Sequence, residues 1–118
     1  MYDQSQDSGK TTIAADVLID ITRLAALSVD GVNRLAPVPG GVDRLFRRGI
    51  SEGVQIFLSG NTVNADLYVI LDPNENIRDI CREVQAQVAR AISEMVGMDI
   101  GKINIHVEDF ASYPHPAA

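Results

Sequence analysis

Few residues of this sequence have the types and spacing that chemistry requires. The most suggestive is the run Gly9-Lys10-Thr11, which matches the end of a phosphate-binding loop, where a lysine and a hydroxyl meet phosphate and magnesium. Such a loop also needs a glycine five residues before Gly9 and a buried strand leading into it. Gln4 occupies the glycine's position, and the preceding residues are polar. The run therefore predicts a short extended entry into a helix and not a nucleotide site.

The other reactive side chains are scattered along the chain. His106 alternates with Asn104 and Glu108 on the polar side of a strand, and no second histidine or cysteine lies near it at metal-ligand spacing. Cys81 falls on the apolar face of a helix, where a thiol is expected to be unreactive. We predict no catalytic residues, no metal site and no cofactor, and therefore no enzyme. A small nucleotide- or metal-binding enzyme, suggested by Lys10 and His106, is the alternative.

Length and charge restrict the class of protein. A chain of 118 residues with a net charge of −6 suits a single domain and opposes binding to nucleic acid. Its single cysteine fits a reducing cytoplasm. The sequence has no apolar run of about 18 residues and no basic segment followed by an apolar one near its start. We expect a cytoplasmic protein without a membrane span.

Apolar periodicity predicts two helices. The first extends from Ala15 to Val29 and is stopped by Gly31, with Ile19 and Leu27 outside its buried face. That face contains Val17, Leu18, Ile21, Leu24, Ala25 and Val29. The second begins at the capping residue Asn76 and ends at Gly97. Its buried face contains Ile77, Ile80, Cys81, Val84, Val88, Ala91, Ile92 and Met95.

Strands are predicted at 32–35, at 53–59 and 62–71 across a Gly60-Asn61 turn, and at 102–110. The order of the elements predicts an α+β fold, with a mixed, largely antiparallel sheet of three to four strands and two helices packed on one face. Residues 1–9 are expected to be a flexible N-terminus, 10–110 a single domain and 111–118 a flexible C-terminal tail.

Two segments are candidates for contact with other molecules. In the hairpin, some apolar side chains alternate with the packed set and should lie on the outer face of the sheet, which makes them a candidate interaction surface. They are Phe57, Tyr68 and Ile70. The loop at 43–49 is a weaker candidate, which an acidic partner or anionic lipid would contact through Arg44, Arg47 and Arg48.

Four segments carry a family resemblance. They are IAADVLIDITRLAALSVDGV (13–32), GVQIFL (53–58), VNADLYVIL (63–71) and IRDICREVQAQVARAISEMVGMDIGKINIHV (77–107). Through them the core at 10–110 resembles the alkaline shock protein 23 family of bacterial envelope stress response proteins. The chain departs from the family's pattern at Ala14, where a serine or threonine cap is missing, and in the loop at 37–49.

The resemblance implies a small, non-enzymatic protein linked to cell-envelope or alkaline stress. Some relatives are held at the membrane by a separate anchor protein, and others are encoded beside lipid-synthesis genes. We therefore expect an interaction protein of envelope homeostasis, which associates with itself or docks on a membrane-anchored partner, so that it is peripheral at the membrane. The alternative is a regulator that binds a lipid-biosynthesis enzyme. The family has no agreed catalytic residues.

Overall fold

The structure is a computed structural model and describes residues 12–39, 50–51, 53–73 and 75–112. Within these ranges the chain forms two helices and five strands. In chain order the elements are α1 (Ala15–Leu27), β1 (Val32–Leu35), β2 (Ile50–Ser51), β3 (Val54–Ser59), β4 (Thr62–Leu71), α2 (Ile77–Val96) and β5 (Asp99–Phe110).

Strand β4 is the centre of the sheet. One of its edges pairs antiparallel with β3 along its first half and with β1 along its last residues. Its other edge pairs parallel with β5 along the whole strand, and β2 pairs antiparallel with the outer edge of β3. The predicted α+β class, with a mixed, largely antiparallel sheet, is confirmed. The two-residue β2 adds a strand to the three to four that were expected.

Alternation along β4 builds the core. The hairpin turn at Gly60 and Asn61 sets Ser59 opposite Thr62, as the sequence predicts. The odd-numbered residues of β4 then face both helices and are almost completely buried. They are Val63, Ala65, Leu67, Val69 and Leu71. Since α1 and α2 both pack on this one face, the opposite face of the sheet remains outside the helical layer.

Helix α1 buries only part of the predicted face: Leu18 is buried as expected, but the rest of the buried side differs. It ends at Leu27, and Ser28 caps it by donating its hydroxyl to the Ala25 carbonyl at 2.7 Å. Ile19 and Thr22 are buried, whereas Leu24, which was expected in the core, is 60% exposed. The prediction for Leu24 was wrong because apolar residues lie on several sides of this helix, so periodicity alone cannot choose which side meets the sheet.

Helix α2 begins and ends as predicted. The Asn76 side chain accepts a hydrogen bond from the Asp79 amide at 3.0 Å, and Gly97 closes the helix with a φ of 70°. The Gln85 side chain donates to the Ile103 carbonyl at 2.9 Å and so ties the helix to β5. Met95 was expected on the buried face but is 69% exposed, because it lies in the last turn, beyond the core.

Gly53 lies at the junction between β1 and β3, the two short strands that pair with the same edge of β4. The Tyr68 amide donates to the Gly53 carbonyl at 2.9 Å, and the Tyr68 carbonyl accepts from the Ala36 amide at 2.7 Å. Gly53 has a φ of 83°, and a Cβ there would lie 2.5 Å from the Ala36 carbonyl oxygen. Glycine is needed at this junction because both the backbone angle and the space exclude a side chain.

Candidate interaction surfaces

A cluster of polar side chains lies on the outer face of the sheet. Pairing of β4 with β5 sets Asp66 beside Asn104 and Tyr68 beside His106; we call these four residues the polar cluster. One carboxylate oxygen of Asp66 accepts a hydrogen bond from the Asn104 amide at 3.0 Å and lies 3.2 Å from Nε2 of His106. These contacts join the two parallel strands on the face opposite the two described helices.

Tyr68 completes the cluster by stacking on His106. The centroids of the two rings are 4.5 Å apart and their planes differ by 13°. Partial burial raises the pKa of the Tyr68 hydroxyl above its ordinary value, and the negative charges of Asp66 and Glu108 raise this pKa further. The raised pKa extends to higher pH the range over which the hydroxyl is neutral and can donate a hydrogen bond.

The polar cluster has a structural role that explains its composition. Asp66 uses one oxygen to hold two side chains of the neighbouring strand, which is how polar groups stabilise a partly buried sheet face. Among the described residues, no group of three or more His, Cys, Asp or Glu side chains is placed to hold a metal ion. Burial raises the pKa of the Cys81 thiol, which lowers its thiolate fraction and hence its reactivity.

The predicted surface of Phe57, Tyr68 and Ile70 is not continuous. The register sets Phe57 opposite Asn64, four residues before Tyr68, which is about 13 Å at 3.3 Å per residue. Phe57 is 43% exposed, so it remains available for contact, and Tyr68 is partly exposed in the polar cluster. Ile70 is only 8% exposed, which corrects the expectation that it lies on the surface.

Other sequence candidates lie outside the part of the chain that the structure describes. These are the arginines of the 43–49 loop (Arg44, Arg47 and Arg48) and the Gly9-Lys10-Thr11 run. Contact of the three arginines with an acidic partner or anionic lipid, and the extended entry into a helix at Gly9-Lys10-Thr11, remain predictions.

The helical layer contains an apolar groove that the sequence pattern did not predict. It lies between α1 and α2 and has a volume of about 500 Å³. We call this concavity the helical groove. Its apolar lining consists of Ile21, Leu24, Ala25, Ala91 and Met95. Leu24 and Met95 are the most exposed of the large apolar residues that the structure describes. Exposed apolar side chains gathered in one concavity are typical of a contact site.

Polar side chains surround the helical groove. Ser28 and Gln87 line it, as do Arg90 and Glu94, which form an ion pair at 3.4 Å between Nε and a carboxylate oxygen. An apolar centre within a polar rim is the usual composition of a protein-binding patch. The sequence contains one indication of the helical groove. Apolar residues lie on several sides of α1, which is more than a single buried face requires.

A depression of larger volume, about 680 Å³, lies near the start of α2. Among the described residues its charged lining is entirely acidic and consists of Asp30, Glu75, Asp79 and Glu83. None of the lining residues that the structure describes is basic and could attract an anion, and the apolar lining is smaller than that of the helical groove. Within the described residues, no helix is long and apolar enough to cross a membrane.

Fold and surfaces together define a small two-layer α+β domain with an apolar groove in its helical layer and a polar outer sheet face. The sequence matches the alkaline shock protein 23 family, which is described as having a cell envelope-related function, over residues 3–112. The chain therefore belongs to that family, and the resemblance of its core is confirmed.

Two relatives in Bacillus subtilis (strain 168) are similar over most of the chain. The uncharacterized protein YqhY is 29% identical over 101 residues, which cover 84% of this chain and 75% of YqhY. The uncharacterized protein YloU is 24% identical over 104 residues, which cover 85% of this chain and 87% of YloU.

Solved structures of another protein share the fold. A copper form of MamM CTD superposes with a TM-score of 0.58 and 19% identity, covering 82% of this chain and 87% of that one. A zinc form gives a TM-score of 0.56 at 18% identity, covering 80% and 84%. Identity this low shows a common fold alone.

Proposed function

We propose that this chain is a non-enzymatic interaction protein of the envelope stress response, which binds a partner protein through the helical groove. The observation that carries the proposal is that Leu24 and Met95, exposed at 60% and 69%, both line one apolar concavity. Burying exposed apolar side chains of this size against a partner contributes about 25 cal/mol per Å² of apolar surface.

The shape of the groove favours a helical segment of the partner. Two helices form its walls, and an amphipathic helix presents apolar side chains at a spacing that such a groove accepts. The polar rim of Gln87, Arg90 and Glu94 would face the polar sides of that helix. A membrane-anchored partner would place this protein at the cytoplasmic side of the envelope, which fits the function that describes the family.

The test compares two variants with charges on opposite layers of the domain. Leu24→Lys with Met95→Lys alters the helical groove, and Phe57→Lys alters the outer sheet face as a control. All three side chains are exposed, so both variants should melt within a few degrees of the wild type. Each protein is produced at its natural level in its own cells and isolated in mild detergent, and co-purifying proteins are identified by mass spectrometry.

We expect the groove variant to lose the partner and the control to retain it. Cells carrying the groove variant should then show the same envelope defect as cells lacking the protein. A partner retained at the wild-type level by the groove variant would contradict the proposal. Loss of the partner only in Phe57→Lys would assign the contact to the sheet face instead.

A further inference from the structure

We propose that two copies of this chain associate through the free edge of β5, in an antiparallel arrangement with the two-fold axis at Ile105. This surface is separate from the helical groove, so the inference extends the proposed function and does not depend on it. Strand β5 is 12 residues long, and among the described strands it pairs only with β4. A long edge of this kind is a template for a further strand.

The hydrogen bonds of β4 show which groups of β5 face outward. Tyr68 directs its amide and carbonyl toward β3 and β1, so the even-numbered residues of β4 bond on that side and the odd-numbered residues bond to β5. Since Leu67 is paired in parallel with Ile105, it bonds to the neighbours of Ile105. Ile103, Ile105 and Val107 therefore direct their backbone groups away from the sheet.

The bond from Gln85 agrees with this assignment. Its side chain reaches the Ile103 carbonyl from α2, as expected for a carbonyl that is turned away from β4. Gln85 does not exclude a second strand, because a carbonyl oxygen has two lone pairs and can accept a second hydrogen bond.

Two irregularities limit the regular part of the free edge. The register shifts between Ile100 and Ile103, and again between Val107 and Asp109. At the first shift the Lys102 amide donates to the Asn64 side chain at 2.8 Å. The regular run is therefore Ile103–Val107, in which alternate residues offer their backbone groups to a partner.

Only one antiparallel register uses all of these groups. Centred on Ile105, it pairs Ile103 with Val107 of the second copy and Ile105 with itself, and each such pair exchanges two hydrogen bonds. A shift of the centre by one residue in either direction leaves one outward-facing residue of each copy without a partner. The favoured register is thus set by the positions of the two irregularities.

The side chains in this register are complementary. Continued by one residue beyond each end of the regular run, the register brings Lys102 opposite Glu108 of the second copy, and the two-fold axis repeats that contact. Both residues are exposed. Asn104 comes opposite His106, and the apolar residues at 103, 105 and 107 meet only one another. Opposite charges and apolar pairs stabilise adjacent strands, so the edge matches its own copy. A two-fold contact of this kind also closes, which limits association to a dimer.

Charge reversal tests this register. Lys102→Glu sets two carboxylates opposite each other at both symmetry-related contacts, and Glu108→Lys sets two ammonium groups opposite each other there. Replacing two attractive contacts by two repulsive ones should weaken dimerisation by about 30-fold in each variant. An equimolar mixture of the two variants should restore a dimer that contains one copy of each. Arg82→Glu, which makes the same charge change at an exposed position of α2 outside the helical groove, should dimerise like the wild type.

Masses in solution are measured by analytical ultracentrifugation of the full chain, and native mass spectrometry identifies the mixed dimer. Hydrogen exchange followed by NMR gives a second measurement, since dimerisation should protect the amides of Ile105 and Val107 in a concentration-dependent way. A wild type that stays monomeric at several hundred micromolar would overturn the inference, as would single variants that dimerise like the wild type. Protection of these two amides in a monomer would also overturn it, because another part of the chain would then cover the edge.

The outcome is distinguishable from that of the groove experiment. A monomeric wild type that still retains its partner through the helical groove would remove the dimer and leave the proposed function intact.

Discussion

Thr22 provides a sensitive test of the core of this domain. Its side chain lies on the buried face of α1 with no exposed surface. Among the described residues its hydroxyl oxygen has no hydrogen-bond partner. A buried hydroxyl that has lost its bonds to water without gaining others costs about 1–3 kcal/mol. Thr22→Val replaces this hydroxyl by a methyl group of similar volume and should therefore stabilise the protein.

The expected gain follows from three contributions. Removing the unpaired hydroxyl contributes most of it, helix propensity differs little between two β-branched residues, and the new methyl group adds apolar contact. We expect the free energy of unfolding to rise by about 1–2 kcal/mol, which corresponds to a melting temperature about 4–8 °C higher in a domain of this size.

Urea unfolding followed by circular dichroism measures this change, and Thr22→Ala is the control. Alanine also removes the hydroxyl but leaves a cavity, so this variant should be about 2 kcal/mol less stable than Thr22→Val. A Thr22→Val protein that is less stable than the wild type would refute the reasoning, because the hydroxyl would then have a hydrogen-bond partner worth keeping.

Two further predictions concern the centre of the sheet. Gly53→Ala should lower the free energy of unfolding by about 3–5 kcal/mol, because it combines a positive φ with close contact to the Ala36 carbonyl. Gly60→Ala, where φ is 60° but no atom lies within 4 Å, should cost only about 1 kcal/mol, and equal losses in the two variants would contradict the role of the junction. The raised pKa of Tyr68 predicts a loss of stability in alkali, because the folded protein favours the neutral hydroxyl. The resulting contribution to the free energy of unfolding is fully present below the ordinary pKa near 10, and it is lost as the pH rises through the folded pKa. Melting temperatures from pH 8 to 11 should therefore fall more steeply for the wild type than for Tyr68→Phe, and parallel curves would exclude Tyr68 as the cause.

Short-range patterns in the sequence determined most of the secondary structure. The hairpin at Gly60-Asn61, the alternating strand β4, the Asn76 cap and the glycine end of α2 all form as predicted. Each depends on residues within about four positions of one another, so the local sequence contains the necessary information. The α+β class follows from the order of these elements.

Only the tertiary structure decided which surfaces are exposed. The buried side of α1 depends on how that helix meets the sheet, and this contact hides Thr22 while it exposes Leu24. The strand register separates Phe57 from Tyr68, and the parallel pairing with β5 brings His106 onto Tyr68 from 38 positions further along the chain. Such contacts join residues distant in sequence, whose pairing depends on the free energy of the whole packed domain and not on any local pattern.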